Sequence, residues 1–582
     1  MRWTTVSSLA AILVAVTIEA QAVAPQDSTT KSTGTVEGAV IDAVSGRPIA
    51  GATVTLTGPG VPQSLAPAVT GQGGSFRFDA LPAGRFSLAS RNEGYIAGRF
   101  GQRYPDDTDL PITLANGERR SKIELRLWPV AVLWGSVVGP QNEPLARVRV
   151  TALRSVFSRG RFELRRRVQA TTDDRGQYRL SVPPGQYVVA LEPSAASPPA
   201  GQPAYPALFH PGLTSTAGVN FIDLRGGENQ GPVDFKLPAA KSYRVSGRLE
   251  SGEEKPAASV RVSLVSDEPG AIPTELDMAP ATVSQGQFTF PAVFPGRYLV
   301  RAIQAPRSMD QVIGRVTATG FSMSGGRPPM IGAPLPPLPD SPTLWAEASI
   351  VVVDKDVTGV PLVMRSAAHL TGEVVFRGNQ QPDSNQLQAS SVIVTPVDGR
   401  DTGIPITRIE ADRTFRTVGL PPAPYVLTFL LSFPGYTMQA LQVGGVDMTG
   451  RPIDVGSQTI PPIKVLMTER ATELRGTVRN AQGQPIEGAS VYIFPADRSA
   501  WVDYAMAFPL RWRTARSSRD GSFEVKGLVA GRYAIAAVEG SVPEVWQEPK
   551  SLDWLSMTGQ RLGVAEGQVQ TVSIQTTKWV AR

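Results

Sequence analysis

Two histidines, His210 and His369, and no cysteine are the whole supply of imidazole and thiol in this 582-residue chain. A zinc centre for hydrolysis takes ligands at short fixed spacings such as His-Glu-x-x-His, and neither PALFHPGL around His210 nor RSAAHLTG around His369 offers one. A Ser-His-Asp triad would need one of the same two rings, and no Gly-x-Ser-x-Gly turn stands beside either. Paired carboxylates need no histidine, but 51 acids supply pairs in any arrangement, so they carry no specificity. Asp106, Asp107 and Asp109 in RYPDDTDLP have calcium-loop chemistry without EF-hand spacing, and a solvated loop is the simpler expectation. The chain is therefore expected to be no enzyme and to hold no metal and no cofactor.

Binding chemistry is better represented. Arg159, Arg161, Arg165, Arg166 and Arg167 crowd the segment SRGRFELRRRVQ, and guanidinium forks match phosphate and carboxylate, so they form a candidate polyanion site. The competing reading is an extended hairpin with a charged solvent face. Trp501, Tyr504 and Trp512 share the insertion ADRSAWVDYAMAFPLRWRTA, and exposed rings of this kind stack on sugar faces or anchor partners. They are the candidate ligand-binding residues, with self-burial of the insertion as the alternative.

The elements that would have to position these residues are written in a repeat. GSFRFDALPAGRFSLAS from Gly74 returns from Gly176, Gly286, Arg413 and Gly521, each time as an alternating run, a corner and a second run. The first aromatics are Phe76, Tyr178, Phe288, Phe415 and Phe523; the second are Phe86, Tyr187, Tyr298, Tyr425 and Tyr533. An upstream phrase opens at Gly38, Gly135, Gly247, Gly372 and Gly476. Period-two alternation predicts strands with one buried face, and close spacing without helical periods predicts antiparallel pairing. Gly176 and Gly521 fall where a tight hairpin requires positive φ. The repeated phrase is thus a core strand, a corner and the next core strand.

In copy five Gly476, Val478, Asn480, Gly483, Pro485, Ile486, Gly488, Ala489 and Val491 precede Asp520, Gly521 and Phe523, then Leu528, Gly531 and Tyr533. This order resembles the carboxypeptidase regulatory-like domain, a transthyretin-like seven-stranded sandwich, and copies one and two share it. Copy four departs, with Ala423 and Pro424 at the corner and Arg413 in the place of the hairpin glycine. The resemblance implies a domain without catalytic residues that occurs in exported bacterial proteins, and related sandwiches bind carbohydrate.

The fold expected is all-β, a tandem array of about five seven-stranded transthyretin-like or Ig-like β-sandwiches. The divisions are a signal peptide over 1–22, a linker over 23–33, and sandwiches over 34–128, 129–240, 241–366 (with a Pro-rich loop), 367–469 (atypical) and 470–582. The signal peptide is read from Arg2, the apolar run Leu9 to Ile18 and the small-residue site Ala20-Gln21-Ala22. No later window is apolar enough for a helical span, and a net charge of +6 spread over the chain implies no nucleic acid. Short linkers and end-to-end stacking predict a stiff rod on the order of 100 Å. The expected role is a spacer or interaction scaffold, periplasmic, cell-surface or secreted, with polysaccharide or an envelope protein as partner. The alternatives are a carbohydrate-binding protein reading through the last unit and, ranked lowest, an atypical glycan or peptide hydrolase.

Overall fold

The computed structural model describes residues 34–579 apart from 62–64, 106, 195–204, 238–240, 251–259, 275, 277, 305–314, 318–319, 323–334, 336, 339–341, 399–405, 457–458, 505–509 and 540–545. The signal peptide, the linker and most of the two Pro-rich segments lie outside the described residues.

Alternating runs become strands in five successive segments, and each segment folds two sheets over one apolar core. In the first, one sheet runs Ser75–Leu81, Gly34–Asp42, Arg119–Pro129, Tyr95–Ile96. The facing sheet runs Ala68–Val69, Thr53–Thr57, Gly84–Arg91, Gly98–Arg99, with Ile112–Leu114 also on Gly84–Arg91. Two-residue strands such as Tyr95–Ile96 add to the seven short strands expected, because loop ends pick up ladder bonds at the sheet edges. Val36, Val54, Leu56, Phe76, Phe86 and Leu125 fill the space between the sheets. Equivalent cores lie within 131–237, 245–364, 370–467 and 474–574. In the fifth segment the two sheets are joined, since Gly531–Glu539 runs parallel to Val569–Lys578 from Ala537 onward.

One feature of the pairing departs from the antiparallel expectation. In every segment the opening strand lies parallel to a closing strand: Gly34–Asp42 on Arg119–Pro129, and Glu473–Arg479 on Val569–Lys578 at the two ends of the chain. The opening glycines are explained by it. Gly38, Gly135, Gly247, Gly372 and Gly476 each sit directly opposite the first aromatic of their repeat, Phe76, Tyr178, Phe288, Phe415 and Phe523. A Cβ on any of the five would collide with a carbonyl oxygen of the closing strand, at Ile123, Val233, Val360, Ile463 or Val572. The missing side chain lets the closing strand approach, and the ring across the ladder covers the gap it leaves.

The first aromatics are all buried, and so are Phe86, Tyr187, Tyr425 and Tyr533; Tyr298 is half-buried against its core. A buried aromatic contributes about 1.5–3 kcal/mol by transfer, so these rings dominate the cohesion of each sandwich. The tyrosines do more than fill space. Each hydroxyl donates to the carbonyl four residues earlier, Tyr187 to Pro183 (2.9 Å), Tyr298 to Phe294 (3.0 Å), Tyr425 to Pro421 (2.8 Å) and Tyr533 to Val529, tying the corner to the strand after it. Copy four keeps this tie despite Ala423-Pro424, and Arg413 adopts the left-handed φ of +70° that Gly74, Gly176, Gly286 and Gly521 adopt elsewhere.

The sandwiches do not form a rod. The first packs against the fifth through residues nearly 400 positions apart, so the series closes on itself. The hairpin Arg149–Ser158/Arg161–Thr171 of the second reaches across to three others. Leu164 donates its N–H to the Pro273 carbonyl of the third (2.8 Å), Arg161 donates to the Asp398 carbonyl of the fourth, and Gly160 lies under Val502 of the fifth. The rod expectation assumed contacts only between chain neighbours; the long hairpin and the first sandwich's loops supply contacts of another kind. Among the described residues there are two short α-helices, Ser384–Gln388 and Pro549–Thr558, the latter laying Leu552 and Leu555 on the fifth sandwich.

Candidate functional site at the seam

Where the first and fifth sandwiches meet, the loop after Gly98–Arg99 faces the strands Ser490–Pro495 and Arg513–Arg516. Asp107 and Arg516 form an ion pair at 2.5 Å with both side chains about nine-tenths buried. Arg103 donates to the Ser490 hydroxyl (3.2 Å) and to the Gly488 carbonyl, which also accepts from Arg516 at 3.0 Å. Gly488 belongs to a turn of the repeat at φ +74°. Burial, and after it the neighbouring Arg516, pull the Arg103 guanidinium down to about 10, still cationic at neutral pH, while Asp107 opposes the shift. Arg120 with Glu487 (2.7 Å) and Arg519 with Glu118 (2.9 Å) extend the contact toward solvent.

Asp107, Glu118, Arg120, Glu487, Arg516 and Arg519 border a cleft of about 970 Å³, with Tyr104, Tyr492 and Trp546 on its walls. Of the acidic triplet, Asp107 is the seam residue, Asp109 lies 3.5 Å from Arg99, and Asp106 is outside the described residues. Among the described residues no three His, Asp or Glu side chains are grouped to hold a metal ion. The histidines are held in packing. His369 Nδ1 is 2.8 Å from the Thr417 carbonyl, and His210 lies edge-on to Phe235, with burial, opposed by Asp234, holding its pKa below the usual range.

Of the two readings open for the tryptophan insertion, the structure follows self-burial. Trp501 and Trp512 are buried, 8% and 4% exposed, so they present no open ring face. Both pack on Phe494, Trp501 edge-on at 5.8 Å and Trp512 stacked at 6.0 Å; the Trp501 indole N–H donates to the Pro495 carbonyl and Arg498 covers the ring. The insertion buries its rings because Tyr492, Phe494 and Leu552 offer a second apolar surface on the outer face of the same sheet. Tyr504 is half-buried at a smaller cavity shared with Met448 and Arg451.

The arginine cluster is divided, with Arg159 and Arg165 turned inward and Arg166 and Arg167 exposed. Glu163, nearly buried, lies within ion-pair distance of Arg159 (3.5 Å), Arg161 (3.4 Å) and Arg165 (3.0 Å), and Glu192 pairs with Arg166 at 2.8 Å. Burial pulls Arg159 below the usual arginine range, with Glu163 opposing. Arg167 is exposed on the same strand. Arg161, donating to the Asp398 carbonyl, serves a contact between sandwiches, and a polyanion at the remaining arginines would compete with two internal carboxylates. The seam residues Arg103, Glu118, Arg120, Glu487, Arg516 and Arg519 carry no sequence signal: they are single charges in no shared period.

The fold defines a tandem array of two-sheet β-sandwiches. The family model of the carboxypeptidase regulatory-like domain matches residues 35–117 and 473–577, within the first and fifth of these sandwiches. No curated protein matches the chain. Among solved structures, it is similar to the minor pilin GBS52 of Streptococcus agalactiae, with 16% identity, 36% of this chain and 98% of that one covered, and a TM-score of 0.20. The major pilin RrgB of Streptococcus pneumoniae matches at 10% identity over 94% and 99%, TM-score 0.17. Two B repeats of the Staphylococcus aureus collagen-binding protein match at 10% over 72% and 94%, TM-score 0.13. Superpositions this loose carry no argument about function. No helix among the described residues is long and apolar enough to cross a membrane.

Proposed function

We propose that the chain is an exported, non-catalytic scaffold whose sandwiches, divided as the repeat divides them, hold a closed arrangement at the bacterial envelope. The observation that supports it most is where the chemistry-bearing side chains go: the repeat aromatics into five cores, the arginine hairpin and Asp107 into joints between sandwiches. Residues so deeply used for cohesion are not free to move protons or attack substrate. Export rests on the N-terminal sequence, and its test is direct. Expressed with its leader, the protein is expected in the periplasmic or extracellular fraction with Val23 as its first residue. Recovery in the cytoplasm with the leader intact would overturn export, and turnover of any member of a glycoside and peptide panel would overturn the non-catalytic reading.

A further inference from the structure

The cleft at the seam has a composition that selects its ligand. Four arginines and five acids line it, so its charge nearly cancels, and three of the arginines are matched across or along the seam to Glu487, Asp107 and Glu118. Such a wall has little net field to attract an ion, yet it offers rigid guanidinium donors beside carboxylate acceptors, the arrangement that hydroxyl groups satisfy in both roles at once. Tyr104 and Trp546, both half-buried, add apolar ring surface between these polar groups, while Tyr492 lies buried against Trp546. A volume of about 970 Å³ stands at the upper end of small-ligand sites and suits a chain of several rings rather than a single one.

We propose that this cleft binds a neutral oligosaccharide, and that it does so only while the first and fifth sandwiches are closed on each other. Sugar hydroxyls bridge the ion pairs, and the apolar C–H face of a ring stacks on an aromatic wall. The walls come from segments about 400 residues apart, so the site does not exist in an opened chain. Ligand binding therefore stabilises closure by mass action. The cleft adjoins the Trp501–Trp512 insertion, whose own rings are covered, through Trp546, which packs on Trp512. It rests on the scaffold reading only in taking the ligand to be bound without turnover.

The test is calorimetry on the full mature chain with neutral oligomers of glucose, mannose, xylose and N-acetylglucosamine. At least one series is expected to bind. Tyr104→Ala is expected to weaken it about tenfold, the order of one lost stacking contact in a desolvated site, whereas Tyr104→Phe retains most of the affinity. Arg103→Glu, at the seam but outside the cleft lining, is expected to abolish binding while the far-ultraviolet spectrum stays that of five folded sandwiches. Failure of every series to bind, or binding that neither Tyr104→Ala nor Arg103→Glu alters, would overturn the site and leave the scaffold reading standing. Cleavage of a bound oligomer would do the reverse, confirming the cleft and removing the non-catalytic reading.

Discussion

The tryptophan insertion of the fifth sandwich and the arginine hairpin of the second are the two largest chemical departures from the repeat, and they resolve in opposite directions. The insertion folds back: Trp501 and Trp512 find Phe494 on their own sheet, and nothing beyond their own sandwich is needed to bury them. The hairpin reaches away, placing Leu164 on the third sandwich and Arg161 on the fourth. Apolar surface is satisfied by any nearby apolar surface, whereas buried guanidinium groups need carbonyl and carboxylate acceptors in particular places. Insertions of the first kind thicken one unit, and insertions of the second kind join several.

The largest expected effect separates the two directly. Trp512→Ala removes a ring stacked on Phe494 and is expected to cost about 3–5 kcal/mol, seen as loss of the fifth sandwich's own thermal transition with the other transitions in place. Glu163→Ala leaves Arg159, Arg161 and Arg165 without their shared carboxylate, an effect of about 3 kcal/mol or more. It is expected to appear at the joints, as protease sensitivity between sandwiches. If Glu163→Ala instead melts the second sandwich alone, the hairpin is a local element and the contrast fails.

Smaller changes sharpen the comparison. Tyr533→Phe and Tyr187→Phe remove the same corner bond from the two sandwiches that carry the insertions, at about 1 kcal/mol each, and equal shifts by denaturant titration would show the shared frame indifferent to its additions. The smallest effect is acid-dependent. The Ser522 hydroxyl, and then its backbone N–H, hold the Asp520 carboxyl below its ordinary 3.8. A depressed carboxylate stabilises the folded form above its unfolded value and loses that contribution as pH falls through the folded one. Asp520→Asn is thus expected to lower fifth-sandwich stability slightly at neutral pH and to converge with the native protein as pH falls below 3.8, so that its acid-dependent loss is flatter, measured by thermal melts.

Strands, corners and cores were legible because they obey short periods. Phe76 and Phe78 point inward two residues apart, and Gly176 and Gly521 take the positive φ their hairpins need. The opening glycines were legible as markers but not as causes, since Gly38 is explained only by the ring of Phe76 across one ladder and the Ile123 carbonyl across the other. Self-burial of the tryptophan insertion was legible as one of two readings, whereas the inward turn of Arg159 was not, because it depends on Glu163 and on a neighbour in another sandwich. The seam lay deepest: Asp107 was visible as one of three acids, and nothing local pointed to Arg516 as its partner.

Closure of the first sandwich on the fifth is the claim on which the cleft and the joints depend. A chain without cysteine can take two spin labels and no others, at Arg120→Cys and Glu487→Cys, whose native side chains meet at 2.7 Å. Pulsed electron resonance between them is expected to return a single short, narrow distance that lengthens on Arg103→Glu. A long, broad distribution in the otherwise unchanged protein would mean that the sandwiches trail as an open string, and the seam would have no place in the account.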